Sequence, residues 1–290
     1  MSESRRRKLS LLTRSLARGD LRAARGLLDN VPAGTDPAAP SRPMQLAEAC
    51  PGQELMFRTP LGDMPCWQIR KPLTEGDEIH STYSAVLRGA RHRFDELKAS
   101  AALCHVANGG PGDLLFMDLE TCGFSGCPIF LVGLMGWQDE QLVVQQYLAR
   151  DYSEEAAICQ GFWDRYDASS ILVTFNGKSY DINMLKERSA FHAIELPIRE
   201  IPHLDLLHES RRFWKNDLPN CKLQTLEWAF TGRRRTGDIP GSQIPEAYHA
   251  FVDSADARQM RDILHHNFLD LVTMAHLVCA LLTGSAPAHM

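Results

Sequence analysis

The feature that most constrains the fold is a short apolar run that ends in two acids. Leu114–Met117 has the length and composition of a buried β-strand, and Asp118 and Glu120 follow it. Residues two apart in a strand share one face, so these carboxylates would lie side by side and repel each other. A divalent cation would offset that repulsion. A solvated strand end is the alternative, and only acids from elsewhere in the chain can decide between the two.

Composition excludes several classes of protein. The chain has 290 residues, 44% of them hydrophobic, and a formal net charge of −5, as expected for one large or two modest globular domains. No apolar stretch reaches the roughly 18 residues of a membrane helix, and no signal core follows the basic residues 5–8. Among the eight cysteines only Cys122 and Cys127 are close, without the spacing of a redox or zinc motif. We therefore expect a cytoplasmic protein with reduced thiols and no membrane contact.

Three segments are predicted along the chain. Residues 1–43 combine a basic amphipathic helix at 9–30 with a linker rich in Pro, Ala, Gly and Ser. Residues 44–110 contain short strand-like runs and a helical run at 83–97, and they are expected to form an N-terminal extension that packs on the core. Residues 111–290 form the main domain.

The main domain has the pattern of an α/β fold. Strands are expected at 114–118, 129–137, 142–148, 171–175 and 203–207. The spacing of the first three predicts an antiparallel meander, whereas the wholly apolar fourth is typical of a parallel strand. An amphipathic helix is expected over residues 257–282, where apolar side chains recur at spacings of four and three. Together these elements predict a mixed sheet flanked by helices.

Two further acids complete a candidate site. Asp181 follows a strand and a glycine turn, which places it at the sheet edge where open α/β sheets bind ligands. Asp270 lies on the long helix, outside its apolar stripe. Taken singly, Asp181 could be a helix N-cap and Asp270 a solvated residue.

The order of these motifs resembles the DEDD 3′–5′ exonucleases of the ribonuclease H-like superfamily. The motifs are Asp-x-Glu, then Asn-Gly-x-x-Tyr-Asp, then His-His-Asn-x-x-Asp. The region from about residue 66 to about residue 285 looks more closely like the YprB-type ribonuclease H-like domain. That resemblance is carried by Phe175–Asp181, His203–Leu207 with Arg211, Arg212 and Trp214, Cys221–Glu227, Gly237–Gly241 with Ile244 and Pro245, and His266–Asp270.

The resemblance implies a hydrolase, a metal-dependent 3′–5′ exonuclease acting on DNA or RNA. Asp118, Glu120, Asp181 and Asp270 would hold two Mg²⁺ or Mn²⁺ ions for a two-metal mechanism. An endonuclease with the same site, or a catalytically silent nucleic-acid-binding module, are the alternatives.

A histidine near Asp270 would activate the attacking water. His265 has the spacing of the His-type exonucleases. His266 lies four residues before Asp270, and residues four apart share a helix face. We therefore favour His266, with His265 as the alternative.

Other candidates concern the substrate. Asn176, Lys178, Asp205 and Arg234 are predicted substrate contacts. A structural role for Asp205, a solvated Lys178 and a plain charged loop around Arg234 are the alternatives. The expected partner is the single-stranded end of DNA or RNA, with the choice between the two open, as are protein partners and oligomeric state. Because the net charge is negative, local basic patches would have to bind this partner.

Overall fold

The computed structural model describes residues 42–74, 77–89, 99–167, 170–196 and 201–289. The predicted helix at 9–30 and the end of the predicted helix at 83–97 lie outside these residues. From Pro43 onward the chain forms one compact unit.

A single mixed sheet is the framework of the described part of the chain. Its strands are β1 Gln53–Thr59, β2 Gly62–Pro72, β3 Leu114–Thr121, β4 Ile129–Gln138, β5 Gln141–Leu148, β6 Ile171–Thr174 and β7 His203–Asp205. They lie in the order β1-β2-β5-β4-β3-β6-β7. The pairs from β1 to β3 are antiparallel, whereas β3 with β6 and β6 with β7 are parallel. This confirms the predicted meander joined to parallel strands.

Helices cover both faces of the sheet. They are α1 Leu46–Ala49, α2 Glu78–Gly89, α3 Ala101–Asn108, α4 Glu155–Arg165, α5 Asp181–Phe191, α6 Leu206–Trp214, α7 Leu223–Thr231, α8 Ile244–Ser254 and α9 Arg258–Thr283. Alternate residues of β3 enter two different cores, as strand geometry requires. Leu114 and Phe116 pack in a core with α9, and Leu115 and Met117 pack in a core with α4.

The long helix α9 is the main element on one face. It was predicted at 257–282 and spans Arg258–Thr283. In length and composition it resembles a membrane span, but 78% of its most apolar window is buried inside the protein. Its apolar stripe therefore has a partner within the fold, namely β3 and the helices α2 and α7.

Residues 44–110 contribute strands and core residues to the same sheet. Strand β2 pairs with β5 from Trp67 opposite Leu148 to Pro72 opposite Val143. Tyr83 of α2 is fully buried in the core beneath α9, and its hydroxyl donates to the carbonyl of Pro111 at 3.1 Å. A division of the chain at 110/111 stays a sequence-based prediction.

A glycine in β4 lets α9 approach the sheet. Gly133 lies between Asp118 of β3 and Gln146 of β5 in the strand register. A Cβ atom at Gly133 would lie 2.1 Å from Oδ1 of Asn267, so any side chain there would displace the helix residue. The close approach brings Asn267 and, one turn further on, Asp270 over the end of β3.

Candidate active site

The acids of β3 differ in their partners. Asn267 Nδ2 donates to Asp118 Oδ2 at 2.8 Å and to the Asp118 carbonyl at 3.2 Å. Gln146 Nε2 in turn donates to Asn267 Oδ1 at 2.8 Å, which orients the amide. In the described part of the chain, no hydrogen bond or ion pair reaches the Glu120 carboxylate, although burial and neighbouring acids raise its pKa. Among the described residues, no hydrogen-bond donor or cation therefore stabilises the ionised form of Glu120.

Asp181 is placed by the turn between β6 and α5. It is the first residue of α5, and its Oδ1 accepts the backbone N–H of Leu119 at 3.2 Å. This bond joins the start of α5 to β3 directly between the two acids of that strand. Asp181 is buried, with 7% of its surface exposed.

Asp205 holds that turn in place. Its carboxylate accepts the backbone N–H groups of Asn176 at 2.9 Å, Lys178 at 3.0 Å and Leu207 at 3.0 Å. Asn176 itself has a positive φ of 65°, a conformation that needs such support. This geometry favours the structural role that the sequence left open for Asp205 over a contact with substrate.

Asp270 is paired with a buried arginine that sequence reasoning did not single out. Arg235 Nη2 lies 2.5 Å from Asp270 Oδ1, and the same guanidinium contacts Glu227 at 2.5 Å and Asp238 at 3.3 Å. The predicted substrate contact Arg234 instead lies over the ring of Trp228, at 4.5 Å from its centroid. Among three consecutive arginines, the middle one faces outward and the third one enters the site.

Of the two candidate histidines, the structure brings His266 to the acids. His266 Nδ1 lies 2.9 Å from both carboxylate oxygens of Asp238, and its Nε2 lies 3.6 Å from Asp270 Oδ2. His265 is exposed and lies parallel to the ring of Phe268, at 6.4 Å between centroids. The four-residue spacing on a continuous helix explains this outcome. Asp238, at the end of the loop that carries Arg235, orients the imidazole.

The site is strongly electronegative. Burial raises the pKa of Asp118 well above its usual range, and Asp270, Glu120 and Asp181 raise it further. Burial also raises the pKa of Asp181 to about 7. The pKa of Asp270 is raised by burial and lowered in part by Arg235 and His266. The acids come from three different elements, and neighbouring acids disfavour the ionisation of each.

The chemistry of these side chains fits a hard divalent cation. All four candidate ligands are carboxylates, which Mg²⁺ and Mn²⁺ prefer, and a nearby cation would favour their ionised forms. Across the described ranges, no three His, Cys, Asp or Glu side chains are arranged closely enough to share one ion as they stand. Among the described residues, Arg235 provides a positive charge next to these carboxylates through its contact with Asp270.

Comparisons with known proteins identify the family of the chain. The family model RNase_H_2, of the RNase_H superfamily, matches residues 115–282, more than half of the chain. The "Uncharacterized protein YprB" of Bacillus subtilis (strain 168) is 35% identical over 169 residues, which is 57% of this chain and 41% of that protein. The chain thus matches less than half the length of this relative.

Two solved structures show weaker similarity. The family B DNA polymerase of Pyrobaculum calidifontis has a TM-score of 0.46 at 15% identity, over 58% of this chain and 24% of the polymerase. E. coli Exonuclease I in complex with a dT13 oligonucleotide has a TM-score of 0.34 at 14% identity, over 54% of this chain and 43% of the exonuclease. On the strength of the family match and of the mixed sheet described above, this chain belongs to the ribonuclease H superfamily.

Proposed function

We propose that the protein is a metal-dependent nuclease that hydrolyses phosphodiester bonds. One observation carries the proposal: Asp118, Glu120, Asp181 and Asp270 come together from three elements, Asp181 buried and the other three partly buried, and neighbouring acids raise the pKa of each. Crowded carboxylates destabilise a fold unless something neutralises them, so a protein without a use for cations gains nothing from the arrangement. Metal-dependent hydrolysis of a phosphodiester requires bound cations, and these carboxylates would bind them.

The four carboxylates would hold Mg²⁺ or Mn²⁺, and two ions are the number implied by the family resemblance. When bound, such ions stabilise the negative charge of the phosphoryl group and make a hydroxide nucleophile available. Asn267 fixes the rotamer of Asp118 through a 2.8 Å hydrogen bond, and the Leu119 amide does the same for Asp181 at 3.2 Å. The protein therefore holds two of its candidate ligands in place through its own hydrogen bonds.

His266 is suited to accept the proton of the attacking water. An ionised Asp238 is a hydrogen-bond acceptor and cannot donate. The 2.9 Å contact therefore assigns the proton of the neutral His266 ring to Nδ1. The lone pair of Nε2 then faces the carboxylate site, where Nε2 lies 3.6 Å from Asp270 Oδ2. A carboxylate that orients a histidine in this way also stabilises the imidazolium formed on proton transfer.

We infer that the reaction is 3′–5′ exonucleolytic and that the substrate is a single-stranded end of DNA or RNA. The order of the acidic motifs and the placement of His266 support this inference. An endonuclease would use the same side chains, and a silent binding module would keep the fold without the chemistry. The substrate panel below separates these three outcomes.

The test uses the full chain with single- and double-stranded DNA and RNA, each labelled at one end, in Mn²⁺, Mg²⁺ or EDTA. We expect nucleotides to be released from the 3′ end in Mn²⁺ or Mg²⁺ and no release in EDTA. Asp118→Asn should lower the rate by at least about a hundredfold, because the neutral amide binds hard cations poorly. The matched control is Asp262→Asn, a half-exposed acid on the same helix as Asp270, where the rate should not change.

The outcomes decide between the alternatives. Undiminished cleavage by Asp118→Asn would refute the proposed site. Cleavage of a circular single strand would identify an endonuclease. Absence of cleavage on every substrate, together with absence of Mn²⁺ binding by calorimetry, would leave a silent ribonuclease H-like module.

A further inference from the structure

A cleft of about 520 Å³ lies beside the edge strand β7, apart from the four acids. The turn after β6, the exposed side of α5, the start of β7 and helix α3 surround it. Its basic lining residues are His105, Lys178, Lys186 and His203, and its apolar lining residues are Ile182, Ile201 and Pro202. The volume is in the range of pockets that hold small organic ligands.

The charge of the cleft is opposite to that of the protein. The chain has a formal net charge of −5, yet no carboxylate lines the cleft among the described residues. Within the same ranges no hydrogen bond or ion pair is formed by the ammonium groups of Lys178 and Lys186, although the backbone N–H of Lys178 donates to Asp205. Two lysines without acidic partners around one concave surface favour an anionic ligand.

His203 adds a polar group without a charge of its own. Burial and the nearby Lys178 lower its pKa to about 4, so the ring is neutral at physiological pH. Its Nε2 lies 2.8 Å from the hydroxyl of Thr174, which fixes the ring against β6. An anion in the cleft would counteract the effect of the lysines on this ring.

Two of the lining residues are sequence neighbours of the candidate active site. Lys178 belongs to the turn that Asp205 holds, and Ile182 directly follows the candidate ligand Asp181. The apolar lining residues offer a surface for a sugar or a base.

We propose that this cleft binds a phosphate group of the nucleic-acid strand at a position separate from the bond that is cut. The inference rests on the proposed function, which it extends by a second contact site for the substrate. Lys186 and His105, which lie outside the catalytic group, become determinants of strand binding. Among the lining residues, Lys178 is the one that the sequence predicted as a substrate contact.

The test compares Lys186→Glu with Lys215→Glu, the same charge change at an exposed lysine outside this lining. Lys186 is also exposed, so both variants should fold. One substrate is a short oligothymidylate. The other is thymidine 5′-(p-nitrophenyl phosphate), which has one phosphodiester and no phosphate beyond it.

For Lys186→Glu we expect the KM of the oligonucleotide to rise roughly tenfold with little change in kcat. The dependence of log KM on log salt concentration should become shallower by about 0.7, the value for one phosphate contact on a single strand. Hydrolysis of the small substrate should not change, and Lys215→Glu should behave as the unmodified protein. Equal oligonucleotide KM values in the two variants, or an equal loss on the small substrate, would overturn the proposal.

A second measurement does not depend on cleavage. Inorganic phosphate is titrated into the full chain without metal while the imidazole resonances of His203 are followed by NMR. We expect them to shift in the unmodified protein and in Lys215→Glu, and to shift much less in Lys186→Glu. If no substrate is cleaved at all, the proposed function fails, and an unresponsive His203 would then overturn the cleft as a phosphate site as well.

Discussion

Replacement of Arg235 by methionine tests whether a protein cation balances the acidic site. The side chain of Arg235 is 4% exposed, and its guanidinium contacts Glu227, Asp238 and Asp270. Methionine keeps most of the apolar stem and removes the charge. Because the carboxylates stay behind in a buried environment, the variant should be less stable than the unmodified protein.

The expected loss of stability depends on which contacts each of the three acids keeps in the variant. Loss of one partner from a buried ion pair costs about 3–5 kcal/mol of the free energy of unfolding. Glu227 keeps Arg233 at 3.2 Å and Asp238 keeps His266 at 2.9 Å. Asp270 loses its contact at 2.5 Å and keeps the longer one to His266 Nε2 at 3.6 Å. We therefore expect the lower end of that range, about 3 kcal/mol. Typical domains have about 5–15 kcal/mol, so the variant should still fold.

The assay is urea unfolding of the full chain at neutral pH, in EDTA and in Mn²⁺. In EDTA the variant should show the full loss. In Mn²⁺ the difference from the unmodified protein should narrow, because the ion binds the folded state and no guanidinium competes for Asp270. Arg88→Met is the matched control, since Arg88 and Glu140 are exposed by 59% and 80% and such a pair contributes at most about 1 kcal/mol. A loss below about 1 kcal/mol for Arg235→Met would refute the buried network, and an unchanged difference in Mn²⁺ would refute the competition with metal.

Three further variants test other parts of the site and the core. Burial raises the pKa of Asp181 from 3.8 to about 7, so the unfolded chain loses this proton at a lower pH than the folded protein does. The free energy of unfolding therefore falls as the pH rises between these values. Asp181→Asn should raise the free energy of unfolding in EDTA at neutral pH by on the order of 2 kcal/mol and should abolish cleavage. Asp238→Asn should lower kcat about 10- to 100-fold with little change in KM, because His266 loses the carboxylate that orients it; an unchanged kcat would exclude this role. Burial alone would raise the pKa of Glu155, but hydrogen bonds from His192, Arg188 and the Ile129 amide lower it overall. Ionised Glu155 therefore stabilises the fold above the pKa of 4.5 that it has in the unfolded chain, and this contribution is lost as the pH falls below that value. Stability should fall less steeply at acidic pH in Glu155→Gln than in the unmodified protein, as measured by thermal unfolding in acetate buffers.

Much of the framework could be predicted because each signal is local. Apolar runs of strand length predicted the strands β3 to β6. Apolar side chains at spacings of four and three predicted α9 to within one residue at each end. The same periodicity placed His266, rather than His265, beside Asp270. Such predictions succeed because strand and helix geometry alone determine which side chains share a face.

The network around the acids could not be predicted because it joins distant segments. Gln146 and Asn267 are 121 residues apart, and nothing in either local sequence specifies their contact. The three arginines at 233–235 share one loop without a periodic pattern, so only tertiary packing shows that Arg235 enters the site. One signal was present: a glycine inside an apolar strand, such as Gly133, often marks a close approach of another element.

The pairing of β2 with β5 has a consequence for any shortened form of the protein. A chain that began at residue 111 would leave β5 with unpaired backbone groups along the side from Val143 to Leu148. Exposed apolar edges of this kind pair with other chains, so we expect such a fragment to self-associate. The same strand carries Gln146, which orients Asn267 and through it Asp118. The N-terminal strands therefore protect the solubility of the sheet and the alignment of a candidate metal ligand at the same time.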